Sequence, residues 1–211
     1  MAGDRHRVYC AGPLFNERER EEMELIARVL ASAGYDTFLP HRDGLELTKC
    51  VDVLVRNGFS GEDAARLMSE AIFALDVYQV LEDCDVVVAN LNGRVPDEGT
   101  VSEAAIAWSR GKPVVGYKAD SRTAFAGQDN PLVVGLFNFE LCRSPDDVPA
   151  AVAERLRDTR DARAQTTERE REISSHLKLG QEIWKAMKAS PGVDAVVEVL
   201  VGRTEALGEL R

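Results

Sequence analysis

The run Val86-Val87-Val88-Ala89-Asn90-Leu91, directly after Asp83-Cys84-Asp85, constrains the fold of this chain more than any other stretch. A short apolar run rich in β-branched residues suits a strand covered on both faces, as inside a parallel sheet. Pro96-Asp97-Glu98-Gly99-Thr100-Val101-Ser102-Glu103 follows, and its Gly-Thr pair predicts the start of a helix after a loop. This order sets three carboxylates, Asp97, Glu98 and Glu103, at the carboxyl end of a central strand. Ligands of open α/β sheets bind there, because the loops diverge into a crevice. An acidic ligand site is expected.

Strand and helix signals alternate along the rest of the chain. Residues 7–11 form a first strand, which Gly12-Pro13 breaks before Asn16, a helix N-cap for residues 17–33. Gly34 ends that helix, residues 35–39 make a second strand closed by Pro40, and 41–59 reads as a loop with irregular helix. Ser60-Gly61-Glu62-Asp63 has the pattern of a helix start, leading into a helix to about residue 81. Residues 85–91 give the third strand, 100–109 a helix, 114–117 the fourth strand and 137–142 the last. This alternation predicts an α/β fold: a parallel five-stranded sheet with helices on both faces.

The C-terminal part differs in character. Ser144-Pro145-Asp146-Asp147 begins another helix, residues 155–171 are almost entirely charged and polar, and Ile173, Leu177, Trp184 and Met187 recur at near-helical spacing before Pro191-Gly192. A last amphipathic segment spans 193–210. The expected organisation is a catalytic domain at 1–143 and a helical extension at 144–211 that packs on the domain or on an oligomer partner.

With 211 residues the chain has room for one α/β domain with an appendage. A formal net charge of -10 offers no broad basic field for phosphate backbones or anionic lipids, which argues against nucleic acid and membrane as partners. No apolar run approaches the roughly 20 residues that span a bilayer, and no signal-peptide core follows the polar start, so a soluble cytoplasmic protein is expected. Cys10, Cys50, Cys84 and Cys142 are widely separated and read as reduced structural thiols. His6, His41 and His176 fall in no ligand spacing, so no metal is expected. Ala11-Gly12-Pro13-Leu14-Phe15 is not a dinucleotide fingerprint and there is no phosphate-loop lysine motif, which leaves a small polar ligand. Ser102 lacks a nucleophile elbow.

Glu103 has two readings. Thr100-x-x-Glu103 fits a capping box, in which the glutamate only reaches back to the helix start. The same position near the positive end of a helix favours an ionised carboxylate, the group that attacks an anomeric carbon in nucleophilic sugar chemistry. Asp97 and Glu98 likewise read as acidic turn residues or as members of a repelling carboxylate cluster at a ligand-binding edge.

Taken in order, three motifs resemble the nucleoside 2-deoxyribosyltransferase family over roughly residues 7–142. Tyr9-Cys10-Ala11-Gly12-Pro13-Leu14-Phe15 is similar to the family's opening Tyr-x-x-Ala-Gly-x-x-Phe, Asp97-x-Gly99-Thr100-x-x-Glu103 to its Asp-x-Gly-x-x-x-Glu signature, and Asn130-Pro131-Leu132 to its Asn-x-Met/Leu element. The resemblance implies a flavodoxin-like, doubly wound sheet and exchange of the nucleobase of 2'-deoxyribonucleosides, without a cofactor. It implies that Glu103 is the nucleophile, that Tyr9 orients it and that Asp76 manages the proton on the base. Asp97 would bind sugar hydroxyls together with Asn130 from a second subunit, so at least a dimer is implied. Gly12, Gly99 and Phe15 would complete the substrate site, with Phe15 lining the base pocket and a core role for it nearly as open. Glu103-Ala104-Ala105-Ile106-Ala107 departs from the family's Glu-x-Gly-Tyr-Ala, and the tail beyond Arg143 exceeds the compact domain.

Two other functions fit parts of the pattern. A nucleoside 5'-monophosphate N-hydrolase of the same superfamily shares the nucleophile but tends to have serine where this chain has Asp97, since a carboxylate repels phosphate; Arg42 offers a counter-charge. A non-catalytic nucleoside or nucleotide sensor on the same scaffold would bind without turnover.

Overall fold

The computed structural model describes residues 5–44, 47–123 and 128–158, together with the helical positions 182, 185 and 189. The chain divides into two compact units, Met1–Asp161 and Ala162–Arg211. The expected helical segments beyond residue 158 otherwise lie outside the described residues.

Five strands build one sheet: β1 (Arg7–Ala11), β2 (Asp36–Phe38), β3 (Val86–Asn90), β4 (Val114–Tyr117) and β5 (Leu141–Cys142). All neighbours pair in parallel in the order β2-β1-β3-β4-β5. The chain runs from β1 outward to β2 and then crosses back to β3, so the direction of winding reverses between β1 and β3. In open α/β sheets such a reversal is where a ligand crevice is expected, at the carboxyl ends of those two strands. The expected flavodoxin-like, doubly wound fold is the one observed.

The strand pleat sorts side chains between the two faces. Val8, Cys10, Val86 and Val88 turn to one face, against Met23, Ile26 and Leu30 of α1 (Glu17–Ser32) and Val148 and Val152 of α7 (Val148–Asp158). Tyr9, Ala11, Val87 and Ala89 turn to the other, against Ala104 and Ala107 of α5 (Glu98–Ser109) and Val80 and Cys84. Because Tyr9 pairs in register with Val87, it shares the α5 face. All four cysteines are free thiols, and burial pushes Cys84 up to about 12, which leaves it inert.

Several elements depart from expectation, each for a local reason. Between α2 (Pro40–Asp43) and Ser60 lies a full helix, α3 (Leu47–Arg56), where a loop with irregular helix is expected. Its valines have low helix propensity, but packing against α4 (Gly61–Tyr78) and a C-terminal cap at Gly58 (φ 94°) stabilise it. After α4 the chain makes one π-helical turn, Gln79–Asp83, in place of a continued α-helix. α5 begins two residues earlier than expected, because Asp97 and not Thr100 is its N-cap. The expected strand at 137–142 shrinks to β5. Asn130 caps a short helix, α6 (Pro131–Val134), with Pro131 at its first position, and Asn138 and Phe139 then turn the chain with positive φ. Finally, Val148 and Val152 are fully buried against the sheet, so α7 belongs to the first compact unit, which runs past the expected boundary at 143 to Asp161. Among the described residues no helix is long and apolar enough to cross a membrane.

Gly116 on β4 has no room for a side chain: a Cβ there would lie 2.9 Å from the Phe137 ring and against Leu141. Gly116→Ala is expected to destabilise the fold by roughly 1–3 kcal/mol through overpacking. Thermal denaturation checks this, and an unchanged melting temperature would show that β5 yields freely.

Candidate active site

Two helical stripes, one on α4 and one on α5, line a cavity that includes Glu103, the partner of Tyr9 on β1. Ser69, Ile72, Phe73, Asp76, Val77 and Val80 recur at helical spacing along α4 and its π turn, and Gly99, Ser102, Glu103 and Ile106 do so on α5. Together they enclose a cavity of about 380 Å³, within the size range of small-molecule sites. Its walls are mostly apolar, its ionisable groups are Asp76 and Glu103, and no lysine or arginine lines it among the described residues.

The centre of the arrangement is a hydrogen bond from the Tyr9 hydroxyl to Glu103 Oε1, at 2.6 Å. Tyr9 is fully buried and stacked on Phe38 with ring centroids 5.5 Å apart, so its hydroxyl is held in place from behind. Burial pushes Glu103 up to about 7; the Tyr9 bond acts the other way, while Asp76 and Asp97 add repulsion. Burial likewise raises Asp76, against a lowering contribution from the Tyr9 hydroxyl. The ionised form expected from the helix position of Glu103 is thus opposed by desolvation, which is the larger effect. Burial and the two carboxylates push the Tyr9 hydroxyl far above its usual range, so it stays a donor.

Asp97 decides between the two readings of Glu103 drawn from the sequence. Its Oδ2 accepts from the Thr100 backbone N–H at 2.7 Å and from the Thr100 hydroxyl at 2.8 Å, which caps α5. Thr100 is therefore inside the helix and the capping box with Glu103 does not form. Glu103 is left to Tyr9 and the cavity. Glu98 is exposed on the first turn of α5 and does not join the carboxylate pair, although its carbonyl accepts from Ser102. Gly99 lines the cavity, and a Cβ there would come within 3.1 Å of Asp97 Oδ2.

A family model described as nucleoside 2-deoxyribosyltransferase matches residues 8–172. The chain belongs to that family. Among solved structures, a conserved protein from Enterococcus faecalis V583 aligns with a TM-score of 0.56 at 23% identity, covering 72% of this chain and 99% of that one, a likeness of fold. The 2-deoxyribosyltransferase of Bacillus psychrosaccharolyticus aligns at a TM-score of 0.48 and 20% identity, over 68% of this chain and 90% of its own. No curated protein sequence matches significantly.

In this member of the deoxyribosyltransferase family, Tyr9, Asp76, Gly99 and Glu103 come together, with Asp97 at the adjoining helix cap. Gly12, Phe15 and Asn130 are not in the wall of this cavity. Gly12 instead leaves space for the Met23 side chain against the end of β1. Phe15 is 77% exposed, so the core role left open for it does not hold; Leu14 packs on the core in its place, and the Phe15 amide donates to Glu19 beside the α1 cap. Asn130 uses its side chain to cap α6, and Leu132 beyond it is 84% exposed. The apolar walls at Ile72, Phe73, Val77, Val80 and Ile106 escaped the sequence reading, although their helical spacing with Asp76 and Glu103 was the available signal. Among the described residues no cluster of three or more His, Cys, Asp or Glu side chains is placed to hold a metal.

A carboxyl group whose pKa rises on folding stabilises the fold while protonated. That contribution is complete below its unfolded pKa near 4.5 and is lost as pH rises through about 7. Glu103→Gln, which keeps the shape without the charge, is expected to melt higher than the parent at pH 8 and at the same temperature at pH 4. The gain is at most ~3 kcal/mol, reduced by water in the cavity. Melting curves at both pH values check this, and equal curves at pH 8 would contradict a desolvated Glu103.

Proposed function

We propose that the protein is a nucleoside 2-deoxyribosyltransferase that exchanges the nucleobase of 2'-deoxyribonucleosides through an ester on Glu103. The observation that carries the reading is the Tyr9–Glu103 hydrogen bond at the wall of a cavity shared with Asp76. In the first half-reaction a Glu103 carboxylate oxygen attacks the sugar C1' and forms a C–O bond. The N-glycosidic bond breaks, its electron pair stays on the base nitrogen, and protonated Asp76 gives its proton to the departing base. Asp76 suits that task because burial raises its pKa. In the second half-reaction an incoming base attacks C1' from the vacated face, releases Glu103 and returns a proton to Asp76. Two inversions give net retention. Asp97 and Asn130 bind the sugar hydroxyls in this reading, with Asn130 delivered by a neighbouring copy of the chain.

Lining charge supports a nucleoside over a 5'-monophosphate. Arg42, the cation suggested by sequence as a phosphate ligand, is hydrogen-bonded to Asp43 at 2.7 Å and to Thr37, and lines a separate groove with Arg5 and Arg7. A phosphate in the described cavity would meet Asp76 and Glu103 without a compensating cation.

Chromatography of a mixture of the protein, deoxyinosine and adenine is expected to show deoxyadenosine from the parent and none from Glu103→Ala. The rate should fall on the acid side through about pH 7, where Glu103 becomes protonated. Hypoxanthine release without deoxyadenosine would indicate a hydrolase, and binding without turnover a sensor.

Sharing of the site between copies has its own check. Glu103→Ala and Asn130→Ala proteins, each inactive alone, are expected to recover about a quarter of parental activity when mixed and allowed to exchange subunits as dimers. No recovery, with hybrid dimers demonstrated, would place both residues in one chain's own site.

A further inference from the structure

Lys118, the residue after β4, is the one lysine among the described residues that is wholly buried, at 1% exposure, and the exchange reaction does not use it. Its ammonium donates to the Gly93 carbonyl at 2.9 Å and pairs with Asp129 Oδ1 at 2.8 Å. Gly93 lies in the loop between β3 and Asp97, and Asp129 immediately precedes Asn130. One cation thus ties together the two loops that carry the proposed sugar ligands.

The surrounding contacts stitch the same two loops. Asn92 Oδ1 accepts from the backbone N–H groups of Ala119 at 2.9 Å and Asp120 at 2.8 Å, and the Gly93 N–H donates to Asp120 Oδ2 at 3.1 Å. Asn92 is itself held by Glu22 on α1, at 2.6 Å. Among the contacts named here, only those of Lys118 reach on to Asp129. A buried ammonium persists only where its partners are fixed, and removing it takes a shared donor from the Gly93 carbonyl and the Asp129 carboxylate at once.

We infer that Lys118 is a positioning residue that locks a chain's Asp97 loop and its Asn130 loop into one block, so that the sugar ligand it keeps and the one it lends to a neighbouring copy are held in place together. The inference rests on the proposed roles of Asp97 and Asn130. Contacts made equally to substrate and transition state act on KM, so Lys118→Met is expected to raise the KM for deoxyinosine about tenfold and to leave kcat within about threefold.

Amide hydrogen exchange gives a second readout that needs no turnover. The amides of Leu132, Val133 and Val134 bond to Asn130 itself and report on its loop. In Lys118→Met they are expected to exchange at least tenfold faster, together with Gly93, while β1 and β3 stay protected. Asp129→Asn keeps the Lys118–Gly93 bond and is expected to loosen 132–134 alone, and it carries the test if Lys118→Met does not fold. Unchanged exchange at 132–134 in both folded variants, or a Lys118→Met protein with parental KM, would overturn the inference. If the parent exchanges no base, the assigned reaction fails, and hydrogen exchange still judges Lys118.

Discussion

The hydrogen bond between Tyr9 and Glu103 is the point at which the sheet and the helices of this protein become one site. Tyr9 reaches Glu103 only because the pleat of β1 turns it to the α5 face, because β1 and β3 pair in the register that places it opposite Val87, and because Phe38 fixes its ring from β2. α5 in turn presents Glu103 to Tyr9 because Asp97 sets where the helix begins. Moving the helix start by one residue would rotate Glu103 by roughly 100° and break the contact. The position of one carboxylate therefore depends on three strands and one cap.

That carboxylate sits where the fold is least comfortable with charge. Glu103 and Asp76 share an apolar cavity, Asp97 stands close by, and no described cation lines the walls. Desolvation and repulsion both disfavour ionisation, and a single phenol is the main compensation. In the proposed exchange, poor stabilisation of the free carboxylate would favour its attack on a carbon that is gaining positive charge. Stability and reactivity are here opposite readings of the same burial.

Much of this arrangement was legible in the chain itself. The valine run at 86–88 announced a parallel strand, Asn16 and Ser60 announced their helices, and the spacing of Tyr9, Asp97, Gly99 and Glu103 carried the family resemblance. What was hidden depends on tertiary context. The valines of α3 argue for extended chain until packing on α4 is known. Asn130-Pro131 has the composition of a turn, and only the fold makes Asn130 a helix cap. Thr100-x-x-Glu103 satisfied a capping rule that Asp97 pre-empted from three residues upstream. Lys118 gave no signal, since a lone lysine after a strand looks like any solvated side chain until its burial is seen.

The π turn that follows α4 has a consequence for how this protein tolerates change. An α-helix closes its backbone bonds four residues apart, while Gln79–Asp83 spans the same gap with one residue more. The bulge absorbs that extra residue, so that Asp76 and Val80 still face the cavity and the chain enters β3 in register. Length is therefore more forgiving within 79–83 than in the helix before it. Loss of a single codon at the bulge would leave an ordinary α-turn over the same gap, whereas the same loss between Ser69 and Asp76 would turn the two ends of the cavity-facing stripe apart by roughly 100°.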